Sequence, residues 1–177
     1  VNAVLSGIFF GGAGSTPAAP VSSAPQGNWV GTYGAAGHVL GAWNGTTDLV
    51  SVPNATFTVE KGARFRWATV TTDVRALQSP DKSTRAATTY FDPSQIQLKL
   101  KFTTAYTGNL ELYAVDWDKR GRREMITVNG QTAVLTNDFS EGAWVSFPIS
   151  VVAGGSVVIT VDQTAGVNAV LSGIFLG

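Results

Sequence analysis

The clearest pattern along the chain is an eight-residue alternation. QIQLKLKF, Gln95–Phe102, sets Ile96, Leu98, Leu100 and Phe102 on one side and Gln95, Gln97, Lys99 and Lys101 on the other. That is the period of a strand with one face in a core and one in water. Short runs of similar character recur: Phe57–Val59 and Arg64–Val70 around a Lys61-Gly62 turn, Leu110–Val115, Glu124–Val128, Thr132–Leu135, Trp144–Phe147, Val157–Val161 and Ala169–Phe175. Asn129-Gly130 separates two of these runs, and this dipeptide favours a type I′ hairpin because both turn positions need left-handed backbone. No stretch keeps a helical period, and Asp81–Ala87 offers at most one short turn. Many short strands with regular turns predict an all-β fold, an antiparallel β-sandwich or jelly roll with little or no helix.

A second pattern spans the whole chain. VNAVLSGIFF, Val1–Phe10, and VNAVLSGIFL, Val167–Leu176, differ only at their last position. If Ala169–Phe175 closes a module, Val1–Phe10 reads as the last strand of a preceding repeat, and the offset of 166 residues is one repeat length. Residues 11–27 mix Gly, Pro, Ser and Ala without charge and read as a linker. Residues 28–177 are then the sandwich module, with packing resuming at Asn28-Trp29. An apolar strand with unpaired backbone groups seeks a sheet edge. Val1, Val4, Leu5, Ile8, Phe9 and Phe10 are therefore candidate assembly residues, docking on another copy of the chain to complete its edge or to replace its final strand.

Composition narrows the function classes. The 12 basic and 12 acidic residues balance, which removes the basic footprint of nucleic-acid binding and any polybasic membrane patch. Absent cysteine rules out disulfides and thiol chemistry, and the single histidine, His38, rules out a multi-histidine metal site. No apolar run approaches the roughly 20 residues of a membrane helix, so membrane insertion is not expected. The first ten residues lack a basic start and recur at the other end, so they read as mature protein rather than as a signal peptide. No nucleophile elbow, phosphate loop or dinucleotide fingerprint occurs, and no cofactor is expected.

The remaining chemistry lies in aromatic and charged residues. Sugar rings stack on flat aromatic faces while neighbouring polar groups fix their orientation. NWVGTYGAAGHVLGAWNG interleaves Tyr33, His38 and Trp43 with small residues, and Trp117 sits at a strand end among arginines. Trp67 alternates with Phe65 and reads as buried. Arg75, Arg120 and Arg122 are candidates for hydrogen bonds to a sugar or its carboxylate. Asp116 and Asp118 in DWDKRGRR are spaced to share one face. They read first as part of an ion-pair network with nearby arginines, Arg123 and Arg85 included, as Asp73 does with Arg75. A glycosidase pair or a calcium site drawing on Asp48 are the sharper alternatives.

The runs TTDVRALQSP, STRAATTYFDP, LELYAVDWDKRGRRE and AGVNAVLSGIFLG resemble a bacterial β-sandwich module of multidomain secreted proteins. Those proteins include polysaccharide-degrading enzymes, in which the module looks like a non-catalytic carbohydrate-binding unit. The resemblance covers about Trp29 to Gly177 and implies a galactose-binding-like jelly roll, a polysaccharide partner and an extracellular setting, secreted or on the cell surface. A different function class stands beside it: a structural repeat of a surface fibre joined head to tail by the Val1–Phe10 strand. An enzyme is the least expected of the three.

Overall fold

The computed structural model describes residues 21–177, which contain fifteen strands and no helix. In chain order they are β1 (Val21–Ser22), β2 (Gly37–Leu40), β3 (Leu49–Ser51), β4 (Ala55–Lys61), β5 (Ala63–Ala68), β6 (Leu77–Gln78), β7 (Arg85–Asp92) and β8 (Gln95–Phe102). There follow β9 (Tyr106–Ala114), β10 (Arg123–Val128), β11 (Gln131–Leu135), β12 (Ala143–Val151), β13 (Ser156–Ala165), β14 (Ala169–Leu171) and β15 (Gly173–Leu176). Residues 1–10, with the candidate assembly strand, and the first part of the expected linker lie outside the described residues.

The alternation in β8 appears as a burial pattern: Ile96, Leu98, Leu100 and Phe102 are buried, while the residues between them stay partly or fully exposed. These four face inward from a five-stranded sheet of order β11-β10-β13-β8-β4. They pack in one core with Leu110, Leu112, Val145, Phe147 and Ile174 of a six-stranded sheet of order β1-β12-β9-β15-β2-β3. Each fully buried aliphatic side chain contributes about 1.5–3 kcal/mol, so this layer between the sheets carries most of the cohesion. The strand pairings are antiparallel, and the fold is an all-β sandwich, as the alternation predicts. At Asn129-Gly130 both residues have positive φ, 47° and 81°, and Val128 pairs with Gln131 across the turn.

The six-stranded sheet also has a covered outer face. Tyr113, Val115, Trp144 and Phe175 point away from the main core and pack with Trp29, Leu40 and Leu77. Trp29 Nε1 donates to the Gln78 carbonyl at 2.8 Å, so the polar edge of a buried indole is satisfied.

Three sequence expectations change. The linker was expected to reach Gly27, but Val21 and Ser22 pair with Val145 and Trp144, and the Gln26 carbonyl accepts from Trp144 Nε1. The stretch lacks bulky residues, yet its backbone groups pair with the sheet edge. Lys61-Gly62, expected as a turn, is a passage between two sheets. β4 pairs with β8 and β5 pairs with β7, so the chain crosses there into a third, smaller sheet of order β14-β7-β5 with β6 on β7. Asp81–Ala87 forms no helical turn; β7 begins at Arg85.

Candidate functional site

DWDKRGRR folds around the carboxylate of Asp116. Asp116 Oδ1 accepts from Arg120 N at 3.0 Å, and Oδ2 accepts from Gly121 N at 2.9 Å and Arg122 N at 3.1 Å. The tight loop needs left-handed backbone at Lys119 and Gly121, φ 53° and 70°. It returns Arg122 onto Asp116, and the guanidinium also meets Asp118. Arg122 Nε donates to Asn168 Oδ1 at 2.7 Å, which stitches this loop to the turn before β14. Gly166 makes that approach possible: at φ +85°, a Cβ there would lie 2.7 Å from Arg122 Cα.

Beside this loop lies a cleft of about 340 Å³. One side is formed by β5, β7 and β14, where Phe65 pairs with Thr89 and Phe91 with Val170. The Phe65 ring stands 5.7 Å from Trp67 and 6.0 Å from Phe91, edge to face with both. Phe65 is 46% exposed. Asp118, Arg120, Arg122 and Asn168 line the other side, with Arg122 buried 5.8 Å from the Trp67 ring centroid. Asp118 and Arg120 are exposed at the rim, so the cleft joins an apolar aromatic strip to hydrogen-bonding groups of both signs.

Glu124 lies in the interior close by. Its Oε2 accepts from Val170 N at 3.0 Å, while Oε1 has no partner among the described residues. Burial pushes this carboxyl up to about 8, partly offset by the Val170 N–H and by Arg122.

The predicted site residues are not in one place. Of the seven carbohydrate candidates, Arg120 and Arg122 line this cleft. Tyr33 and His38 line another depression, of about 310 Å³, with Trp29 and Pro80. His38 sits 4.8 Å from Trp29, and burial lowers its pKa, which favours the neutral ring. Trp43 is half-buried, and its carbonyl accepts from Arg66. Arg75 and Trp117 meet each other, with the guanidinium 4.4 Å from the indole centroid, held by Asp73 and the Ser140 carbonyl. Among the predicted ion pairs, Arg123 and Arg85 depart from expectation. Arg123 donates to the Thr136 and Arg122 carbonyls, and Arg85 to the Ala76 carbonyl and the Asn28 side-chain oxygen, so neutral oxygens rather than carboxylates take up their donors among the described residues.

Asp116 and Asp118 converge on one guanidinium. Asp116 is fully buried and already accepts three backbone N–H groups, so it is not placed to act on a substrate bond. Asp48, weighed for calcium, is clasped by Arg64 at 2.6 Å and by Ala42 N. Phe65, Trp67, Phe91 and Asn168 were not predicted for the site. ARFRWA alternates Phe65 and Trp67 on one face, and that signal was read as core. The face belongs to the small sheet, which nothing among the described residues covers fully.

No protein-family model matches this sequence, and no curated protein matches it. Among solved structures, the ANX2 ectodomain from Arabidopsis thaliana is 12% identical over 70% of this chain and 41% of its own, with a TM-score of 0.47. CBM35 from Cellvibrio japonicus Abf62 is 11% identical over 78% of this chain and 92% of its own, TM-score 0.42. A family 35 carbohydrate binding module from Clostridium thermocellum is 13% identical over 78% of this chain and 95% of its own, TM-score 0.41. The chain spans about two fifths of the ANX2 ectodomain. Likeness at these scores carries no conclusion about function.

Proposed function

We propose that this chain is a non-catalytic extracellular module that binds polysaccharide in the cleft between the Phe65–Trp67–Phe91 strip and the Asp116–Arg122 loop. The observation that supports this reading is the exposed Phe65 ring, set in an aromatic strip beside Asp118, Arg120 and Asn168. A pyranose presents an apolar C–H face and a rim of hydroxyls. The strip suits the face, and a carboxylate, a guanidinium and an amide suit the rim. The volume falls in the range of small-ligand sites, about 300–1,000 Å³, room for one or two sugar rings. Arg122 does not need to touch the sugar: tied to Asp116, Asp118 and Asn168, it holds the polar wall at a set distance from the rings.

Affinity electrophoresis through gels containing soluble polysaccharides, neutral and acidic, tests the reading. At least one polymer is expected to retard the chain and to release no reducing sugar on incubation with it. Phe65→Ala is expected to weaken binding about tenfold, or ~1.4 kcal/mol, with the thermal midpoint nearly unchanged because the ring is half in water. Arg120→Ala is expected to weaken it as well. Absence of retardation by every polymer, or binding indifferent to Phe65→Ala, overturns the assignment to this cleft.

A further inference from the structure

The segment 167–176 does two jobs in this fold. Ala169–Leu171 pairs with β7 in the small sheet. After Ser172, Gly173–Leu176 fills the slot between β9 and β2 in the six-stranded sheet. Every residue from Ala169 to Leu176 is buried. Phe175 stands 4.9 Å from Trp29 and 5.0 Å from Trp144 at the centre of the outer-face cluster. The sheet change itself makes sequence demands. Ser172 N donates to the Tyr113 carbonyl and its own carbonyl accepts from Gly41 N, while a Cβ at Gly173 would lie 2.7 Å from Phe175 Cε2 and 2.9 Å from Leu77 Cδ1.

Residues 1–11 match 167–177 at ten of eleven positions. The match includes the apolar residues that any adhesive strand would carry. It also includes Ser6 and Gly7, which stand where Ser172 and Gly173 change sheets. A strand selected only to stick to an edge has no need of that pair. The slot in residues 21–177 is already filled by their own closing segment. We propose that residues 1–10 are the closing segment of another copy of this module, which precedes residue 21 in a tandem array with a period of 166 residues. Each module is then completed by the last residues before its linker. Gly177, whose N and O bond Asn109, anchors the end of the closing segment to β9. Phe10 in place of Leu176 is the one adjustment, at a position that pairs with Gly37 on one side and with Leu110 on the other. This inference stands apart from the cleft, although an array would multiply any weak affinity through effective concentration.

The test is a chain in which residues 21–166 are added directly ahead of Val1, compared with the 177-residue chain by light scattering, calorimetry and amide exchange. The extended chain is expected to be monomeric, with about twice the unfolding heat. Its residues 4–9 are expected to exchange at least about 100-fold more slowly than in the 177-residue chain, approaching residues 170–175. Val4→Asp in the extended chain is expected to unfold the added module alone. An added copy that stays unfolded while residues 1–10 exchange freely overturns the inference. So does a 177-residue chain that polymerises by trading strand 1–10 for 167–176 between molecules, which is the fibre alternative.

Discussion

Single residues carry the chemistry of this fold where a charge is buried. Glu124 holds its proton in the folded state well above the unfolded value, since its carboxyl is pushed up to about 8, by burial first. Below about pH 4.3 both states are protonated and its contribution is complete; it is lost as pH rises through about 8. Burial raises Glu111 as well and adds in the same sense. Asp73, lowered by Arg75, and Asp92, lowered by the Gln95 N–H, act oppositely at the acid end, where their stabilisation is lost as pH falls. Glu124→Gln removes the ionisation and keeps an acceptor for Val170 N–H. Thermal melts across pH are expected to show a flatter decline for the variant and a higher midpoint than the parent above pH 8. Parallel curves for the two proteins would place the effect elsewhere. Asp116 was legible as a structural carboxylate from its run of basic neighbours. That the guanidinium it meets belongs to Arg122 was not, since Arg120, Arg122 and Arg123 look equivalent along the chain.

At the scale of elements, the loops rather than the strands decide the geometry of the cleft. The 116–122 loop and the turn before β14 meet at Gly166, whose φ of +85° and contact with Arg122 leave no room for a Cβ. Gly166→Ala is expected to cost about 1–3 kcal/mol from backbone strain and crowding. It is also expected to weaken polysaccharide binding, because Asn168 and Arg122 would shift away from the aromatic strip. Calorimetry and affinity gels on the same protein check both, and a destabilised variant with unchanged binding would separate the loop from the site. The strands themselves were readable: β8 buries the four residues its alternation assigns inward. The Lys61-Gly62 turn signal did not reveal the passage between sheets, because such a signal specifies a change of direction and not which sheet receives the next strand.

For the whole molecule, the last residues are central although they come last in sequence. β15 lies between β9 and β2, and β14 forms one side of the small sheet that lines the cleft. Removing residues 169–177 strips hydrogen bonds from three strands and Phe175 from its cluster, and the truncated chain is expected to lose its cooperative thermal transition. Circular dichroism and near-ultraviolet spectra on heating report this directly. A truncated chain that melts as sharply as the parent would mean that the closing segment is an accessory.

Local periodicity by itself determined that the chain is all-β, which side of β8 faces a core, and where a type I′ turn falls, because these depend on neighbours two to four residues apart. The repeated decapeptide also marked, unaided, the segment that proves central to the fold. Only the tertiary structure decided which aromatics meet which arginines. Trp117 and Arg75 are 42 residues apart in sequence and spend their interaction on each other. Phe65, which alternates with Trp67 like a core residue, is exposed and lines an open cleft, whereas Trp67 lines the cleft and also packs against the main core. Alternation records that a strand face is apolar; whether another layer covers that face depends on contacts between distant parts of the chain.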